Sequence, residues 1–412
     1  MDETRSRQVV IAGAGIAGLT AALAFSARGI PAKIFEQARQ IEAAGAGIQL
    51  SPNATRILRR LGVLDHLLSS AVKPAAVVLK DAKSLRELAR VPLGDAGESR
   101  WGAPYLVAHR ADLQAALTAI AAQQSNIEVT TGARVTGMGI KPRETVVSIG
   151  LDNGDMSAAA SLLVGADGVW SSVRAQLAED YTAFRQSRFS GELAWRATVT
   201  AESAAGAAFA QIADGNCVTT FLHSGFHMVA YPVSKGNAFN LAAFTRGERI
   251  AENWSGHADP AILDKAMRHT APSLVRLAAL AAPWAAFPIH KVDQKRWTNA
   301  KGVVLIGDAA HAMTPFAAQG AAMAIEDAAM LADLVADFPA DPNRGLAIWE
   351  NLRRARVAKV IRRGLVNRLA WHAAGPVAFV RNLVLATRPP ERLAADLDWL
   401  YGWDQAADIA PR

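Results

Sequence analysis

Three glycines spaced Gly13-x-Gly15-x-x-Gly18 separate a short apolar run, Gln8–Ala12, from an alanine-rich stretch, Leu19–Ala27. A strand that enters a helix through such a turn commits the chain to an α/β fold in which the helix crosses back over a parallel sheet. Gly13 permits the tight turn, Gly15 lets the backbone approach a pyrophosphate with no Cβ in the way, and Gly18 lets helix and strand pack closely. The helix N-terminus adds unpaired N–H groups and a partial positive charge, so Gly13, Gly15, Ile16, Ala17 and Gly18 are candidates for holding phosphate. A second apolar run, Pro31–Phe35, ends in Glu36, whose carboxylate can accept hydrogen bonds from an adenosine ribose and would disfavour a 2′-phosphate. This pattern predicts a dinucleotide site but does not separate NAD from FAD.

The rest of the chain must accommodate that unit. At 412 residues it is long enough for roughly two or three domains. With 51% hydrophobic and 20% charged residues it has the composition of a globular protein, which excludes a disordered chain. A net charge of +7 from 44 basic and 37 acidic residues lacks the clustered basicity of a nucleic-acid binder. Cys217 is the only cysteine, which excludes an intrachain disulfide and a cysteine-ligated metal, and a reducing cytoplasm is the expected location. The uncharged run Val9–Ala27 mimics a secretory signal, but its three glycines suit a phosphate-binding turn better than an apolar signal helix. No other stretch approaches the ~20 apolar residues of a membrane span, so stable membrane insertion is not expected.

Two later segments repeat the form of a buried strand ending in an acid. Ser161–Val164 leads into Gly165-Ala166-Asp167-Gly168, and Gly302–Ile306 leads into Gly307-Asp308 and then Ala309-Ala310-His311-Ala312-Met313-Thr314-Pro315. Both acids fall where ligands of open α/β sheets collect. In these three motifs, and in their order, the chain resembles the class A flavoprotein monooxygenases, the family of para-hydroxybenzoate, salicylate, 3-hydroxybenzoate and 6-hydroxynicotinate hydroxylases. The resemblance implies that the glycine motif holds the ADP half of FAD, that Asp167 touches FAD and the nicotinamide cofactor, and that Asp308 binds the ribityl and pyrophosphate region. It further identifies Pro315-Phe316-Ala317-Ala318-Gln319-Gly320 as the segment beside the isoalloxazine ring, with Gln319 and Gly320 as cofactor contacts. Pro315 suits the first turn of a helix whose N-terminus would stabilise reduced flavin. Arg110 opens a helical stretch, where a cation is disfavoured unless an anion lies nearby, and its Arg-x-x-Leu form resembles a flavin-contacting position. Gly45–Asn53 resembles the loop over the flavin, with Gly47 and Ile48 presenting backbone. Gln49 stands where the 6-hydroxynicotinate enzymes are expected to carry histidine. No second glycine fingerprint is found, which fits a reductant that docks transiently and argues against two-dinucleotide-domain reductases.

The resemblance implies a Rossmann-like FAD-binding domain of the para-hydroxybenzoate hydroxylase type, formed discontinuously by residues 1–74, 100–180 and 285–340. A substrate domain built on an antiparallel sheet would comprise 75–99 and 181–284, with C-terminal helices over 341–412. Alternating segments at Gly191–Val199, Val218–Pro232 and Phe239–Thr245 read as strands roofing the flavin. On the second, His227, Val229 and Tyr231 share one face and Met228 and Ala230 the other. His227 and Tyr231 are the catalytic candidates for moving a phenol proton, and His223, Arg196, Trp195 and Pro315 are the substrate-binding candidates. Each also has a plain packing role open to it. No residue cluster calls for a metal, and His311 reads as structural.

From Asp341 onward, Arg353, Arg354, Arg356, Lys359, Arg362, Arg363 and Arg368 alternate with apolar residues, and no acid occurs between Glu350 and Glu391. Packing across the FAD domain with a solvated basic face is favoured over a membrane- or partner-binding helix. The activity implied is an NADH- or NADPH-consuming FAD monooxygenase that hydroxylates a small aromatic or N-heteroaromatic substrate with O2 through a flavin C4a-hydroperoxide, with a homodimer as the candidate assembly. Two other readings stay open: a flavin oxidoreductase on the same scaffold that does not insert oxygen, and a regulator that uses the dinucleotide only as a ligand.

Overall fold

The computed structural model describes residues 8–41, 47–141, 144–152, 154–180, 186–248 and 258–406. Among these, five parallel strands form one sheet in the order Ile127–Thr131, Ala32–Glu36, Val9–Ala12, Leu162–Gly165, Val303–Leu305. Three of them, of sequence VVIA, LLVG and VVL, are buried at every position, as strands covered on both faces must be. In register, Ile11 lies between Ile34 and Val164. The helix Ile16–Ala27 and the helix Gly320–Asp337 pack together over this sheet, and both are apolar around most of their circumference, the pattern of a central helix.

A second sheet of seven strands runs Ala285–Lys291, Arg188–Thr200, Ala238–Arg246, Phe226–Val233, Cys217–Leu222, Ala76–Asp81, Glu87–Pro92. Every pairing is antiparallel except that between Cys217–Leu222 and Ala76–Asp81. One boundary expected from sequence moves: Ala285–Lys291 pairs with Arg188–Thr200, so these residues belong to the antiparallel sheet and not to the dinucleotide domain. Both faces of the central strands are covered. Trp195, Met228, Ala230, Leu241 and Ala243 pack into a core with the helices Ala204–Ala210, Ala261–Met267 and Pro272–Leu280. Ala194, Val229, Tyr231, Ala242 and Phe244 face the opposite way, toward the dinucleotide domain.

The 30-residue helix Pro342–Trp371 lies along Gly320–Asp337 through Leu346, Trp349, Arg353, Val357 and Val360. Arg353 and Arg356, expected on a solvated basic face, are instead buried in ion pairs with Glu326 and Asp327. After a 113° bend the chain continues as the helix Gly375–Thr387, which buries none of its residues. No single helix among the described residues is long and apolar enough to cross a membrane.

Candidate active site

The three glycines of the first turn differ in what surrounds them. A Cβ on Gly18 would lie 1.9 Å from the Gly13 carbonyl oxygen, and Gly13, at φ +99°, would press one against Ala166. A Cβ on Gly15 would meet nothing within 4 Å. Gly13 and Gly18 are therefore required by the protein's own packing, whereas Gly15 guards open space above the helix N-terminus, which has no side-chain cap. Glu36 closes the turn, accepting from Ala14 N at 2.7 Å and Ala38 N at 2.8 Å. Ile16 is buried and Ala17 partly buried behind this turn, leaving their backbone to face a phosphate.

Asp167 divides its oxygens between two tasks. Oδ2 accepts from Ser172 N, Ser172 Oγ and Val173 N at 2.7–3.1 Å, fixing the start of the next helix. Oδ1 is buried with no partner, a cost that a ligand hydroxyl or amide would relieve. Arg174 ties this segment to the third motif by donating to Val169 O and, at 2.8 Å, to Ala309 O.

The third motif is held from beneath. Gly307 takes φ +57°, ψ −138°, a conformation open only to glycine, and its N–H donates to Asp327 Oδ2 at 2.9 Å. The same oxygen lies 2.6 Å from His311 Nε2, while Arg353 Nε holds Oδ1 at 2.7 Å. Burial alone would raise the Asp327 pKa, but the His311 ring, Arg353 and the Gly307 amide hold it at about 2. His311 thus braces the Gly307–Asp308 turn, and Asp308 is left exposed at the mouth of a cleft.

Pro315 does not open a long helix, as its position suggested. It starts a single 3-10 turn, Pro315–Ala317, after which Ala318 takes left-handed geometry and the long helix begins at Gly320. Gly320 has open space where a Cβ would stand. The Gln319 side chain is committed elsewhere: it donates to Ser51 Oγ at 2.9 Å and accepts from Asn53 at 3.2 Å. Only its backbone is free to meet a cofactor. Gly45 and Ala46 lie outside the described residues. Gly47 donates to Asn240 Oδ1 at 2.8 Å, and a Cβ there would fall 2.5 Å from the Tyr231 hydroxyl. Ile48 follows on a short strand beside Leu106–His109, and Gln49 accepts from the Tyr105 hydroxyl at 2.7 Å.

The cleft lies between the two sheets and has a volume of about 180 Å³. Ala194, Arg196 and Phe244 come from the antiparallel sheet, and Arg110, Asp308 and Pro315 from the dinucleotide domain. The Arg196 guanidinium lies 5.2 Å from the centre of the Phe287 ring. Burial lowers its pKa, with Arg110 adding to the effect and Tyr231 opposing it. Two cations, Arg110 and Arg196, therefore share with Asp308 a space walled mainly by aromatic and aliphatic side chains.

Other expected residues are placed differently. Trp195 is on the far face of its strand, its indole N–H donating to Thr245 Oγ1 at 2.9 Å within the second core. The alternation that puts Ala194 and Arg196 in the cleft excludes it. His223 caps a hairpin, accepting from Gly225 N at 3.2 Å, and does not line the cleft. Tyr231 reaches Asn240 and Gly47, and burial raises its pKa, so the phenol stays protonated. His227 stacks on the cleft-lining Phe244, with centroids 4.6 Å apart and planes 11° apart. Its Nδ1 lies 3.0 Å from His372 Nε2, and Phe316 and Trp371 complete the cage at 5.0 Å each. Burial, then His372, lowers the His227 pKa well below its usual value.

Residues 6–364 match the model of the FAD binding domain family. The chain is 32% identical to 3-hydroxybenzoate 6-hydroxylase of Polaromonas naphthalenivorans (strain CJ2), covering 98% of each chain. It is 34% identical to 3-amino-4-hydroxybenzoate 2-monooxygenase of Streptomyces cremeus, covering 99% of each. The protein belongs to the class A flavin monooxygenases. A salicylate hydroxylase substrate complex shares this fold, with a TM-score of 0.79 at 22% identity over 99% of this chain and 100% of that one. As a class A enzyme it is an FAD-dependent monooxygenase, with NADH or NADPH as reductant. The open space at Gly15 and Gly320, the orphaned Asp167 oxygen and the exposed Asp308 fit that cofactor. When bound, FAD supplies hydride acceptance from nicotinamide and the activation of O2.

Proposed function

We propose that this monooxygenase adds one oxygen atom to the ring of a small aromatic or N-heteroaromatic acid that also carries a hydroxyl or amino group. The observation that carries the reading is that two half-buried cations, Arg110 and Arg196, face the single carboxylate of Asp308 in a largely apolar cleft, which leaves positive charge for a bound anion to answer. Arg196 holds the substrate carboxylate; it is half-buried and stacked, which favours a planar, charge-assisted contact. Arg110 opens the helix Arg110–Ala121 on the dinucleotide-domain side of the cleft, and is assigned to the FAD phosphates. Gly13, Gly15, Ile16, Ala17, Gly18, Glu36, Gly47, Ile48, Asp167, Asp308 and Gly320, with the Gln319 backbone, complete the FAD contacts.

His227 stands behind Phe244 and not in the cleft wall, and is assigned to receive the proton of the substrate hydroxyl by relay. It shares the sheet face of Ala194 and Arg196, and burial keeps its imidazole neutral and able to accept. Tyr231 acts one step removed, ordering the Gly47 loop through Asn240. Phe244, Phe287 and Pro315 exclude water and hold the ring flat. The single cysteine and the enzyme's dependence on soluble nicotinamide support a cytoplasmic location.

The test is NAD(P)H oxidation by the FAD-loaded enzyme across hydroxybenzoates, aminohydroxybenzoates and hydroxypyridine carboxylates, with product masses and hydrogen peroxide recorded. Strong stimulation by one compound that gains a single oxygen is expected. Oxidation that yields only hydrogen peroxide with every acid, or a flat response across the panel, would overturn the reading.

A further inference from the structure

The helix Gly375–Thr387 takes no part in the chemistry assigned above, and none of its 13 residues is buried. Of the 14 large hydrophobic side chains exposed among the described residues, nine fall between Ile361 and Val384. Leu369, Phe379 and Val377 are the most open, at 76%, 69% and 67%. So many exposed apolar side chains within one short stretch of chain are rare on a protein surface that meets only water.

Its charge is equally one-sided. No Asp or Glu occurs between Glu350 and Glu391, while Arg354, Lys359 and Arg362 are exposed along the first of the two helices. The acids that follow are already engaged, Asp396 with Arg388 and Asp398 with Arg100. A second copy of this chain would answer the apolar residues but, in a two-fold contact, would set arginines against arginines. An anionic lipid surface answers both: its headgroups neutralise the cations and its acyl boundary takes the apolar side chains. At about 1.5 Å per residue, the helix is some 20 Å long, short of the ~30 Å hydrocarbon core, so it can lie in the interface but not span it.

We propose that the face formed by the end of Pro342–Trp371 and by Gly375–Thr387 docks the enzyme on an anionic membrane surface. Docking there sets the membrane beside the cage around His227, because Trp371 and His372 end the first of these helices. The proposal does not depend on which substrate the cleft takes.

Full-length FAD-loaded enzyme would be sedimented with vesicles of phosphatidylcholine, alone or with about a quarter phosphatidylglycerol, in about 0.05 M and about 0.5 M salt. Association with the anionic vesicles only is expected, weakened at least about tenfold by the higher salt. The double variant Phe379→Ser/Leu383→Ser should bind on the order of a hundredfold more weakly while keeping its flavin spectrum and its turnover in solution. Arg362→Gln should lose roughly fivefold on the same vesicles. Wild-type enzyme left in the supernatant, equal binding to neutral and anionic vesicles, or undiminished binding of the double variant would each overturn the proposal. So would a dimer in light scattering that the double variant dissolves without any vesicle binding, which would assign the face to a second copy.

Discussion

His227 Nδ1 and His372 Nε2 lie 3.0 Å apart, although the residues are 145 positions apart in the chain. Two imidazoles at that distance share one hydrogen, so protonating both would set two cations in contact. The pKa of His372 is held at about 4, first by burial and then by Arg368, Arg246 and His223, while that of His227 is lower than usual for the reasons given above. Both rings therefore bind protons more readily in the unfolded chain. The contribution of His372 to stability is complete above the ordinary histidine value of about 6.5 and is lost progressively as pH falls from there toward about 4, and His227 acts in the same direction.

Replacing His372 with Gln should flatten that acid limb. The urea midpoint of the variant is expected to change less than that of the wild type between about pH 7 and about pH 5. Parallel curves would mean that His372 does not titrate in this window.

The glycine turn offers a separation of fold from cofactor. Gly15→Ala introduces a methyl group where the protein has no atom within 4 Å, at an ordinary backbone conformation. The variant should fold with near wild-type stability and lose FAD affinity by about tenfold or more, since the close approach to phosphate is blocked. Gly18→Ala drives the same methyl into the Gly13 carbonyl and should lower both FAD affinity and thermal stability. Comparing apoprotein melting with flavin titration distinguishes the two, and equal stability losses would refute the division of roles.

These contrasts also show what could be read in advance. The turn, its strands and Asp167, Asp308 and Glu36 are local patterns, in which a few neighbouring residues fix a backbone conformation, and they are legible without a structure. Asp327 was visible only as an acid in an alanine-rich helix; that it carries Gly307, His311 and Arg353 depends on helix packing across the sheet. His372, Trp371 and Glu192 left no local signal at all, and Arg368 showed only as one of a run of helical cations. Glu192 is buried by the fold and paired with Arg368 at 2.8 Å, and its pKa is raised first by burial. Trp195 was ambiguous because its strand is covered on both faces, so apolar residues occur at odd and even positions alike and alternation cannot tell cleft from core.

Arg196 is expected to act on binding more than on turnover. Arg196→Ala removes the carboxylate contact assigned to it and should raise KM for the preferred acid by about ten- to a hundredfold with a smaller change in kcat. Arg196→Lys should recover only part of this, because an ammonium cannot pair in the planar, bidentate manner of a guanidinium. Steady-state kinetics with the acid and with its uncharged amide provide the check. A KM for the amide that responds to Arg196→Ala as strongly as the acid does would remove the carboxylate from the assignment.

Arg353 joins stability to cofactor binding. Its guanidinium is fully buried between Glu326, at 2.6 Å, and Asp327, at 2.7 Å. Arg353→Met would leave Glu326 with Arg356 as its remaining cation, and Asp327 with the His311 ring and the Gly307 N–H. Breaking one side of such a buried network costs about 3–5 kcal/mol, because the residual carboxylates stay desolvated. The Asp327 pKa should then rise from about 2, and the stability that ionised Asp327 provides above the usual carboxylate range would be lost at a higher pH during acidification. Because Asp327 Oδ2 also receives the Gly307 N–H, loosening it should let the Asp308 turn drift and weaken FAD binding in the same variant. Thermal melts followed by both tryptophan and flavin fluorescence test the coupling: the two transitions should fall together, whereas flavin retention by a destabilised fold would show that the network supports the core without positioning the cofactor.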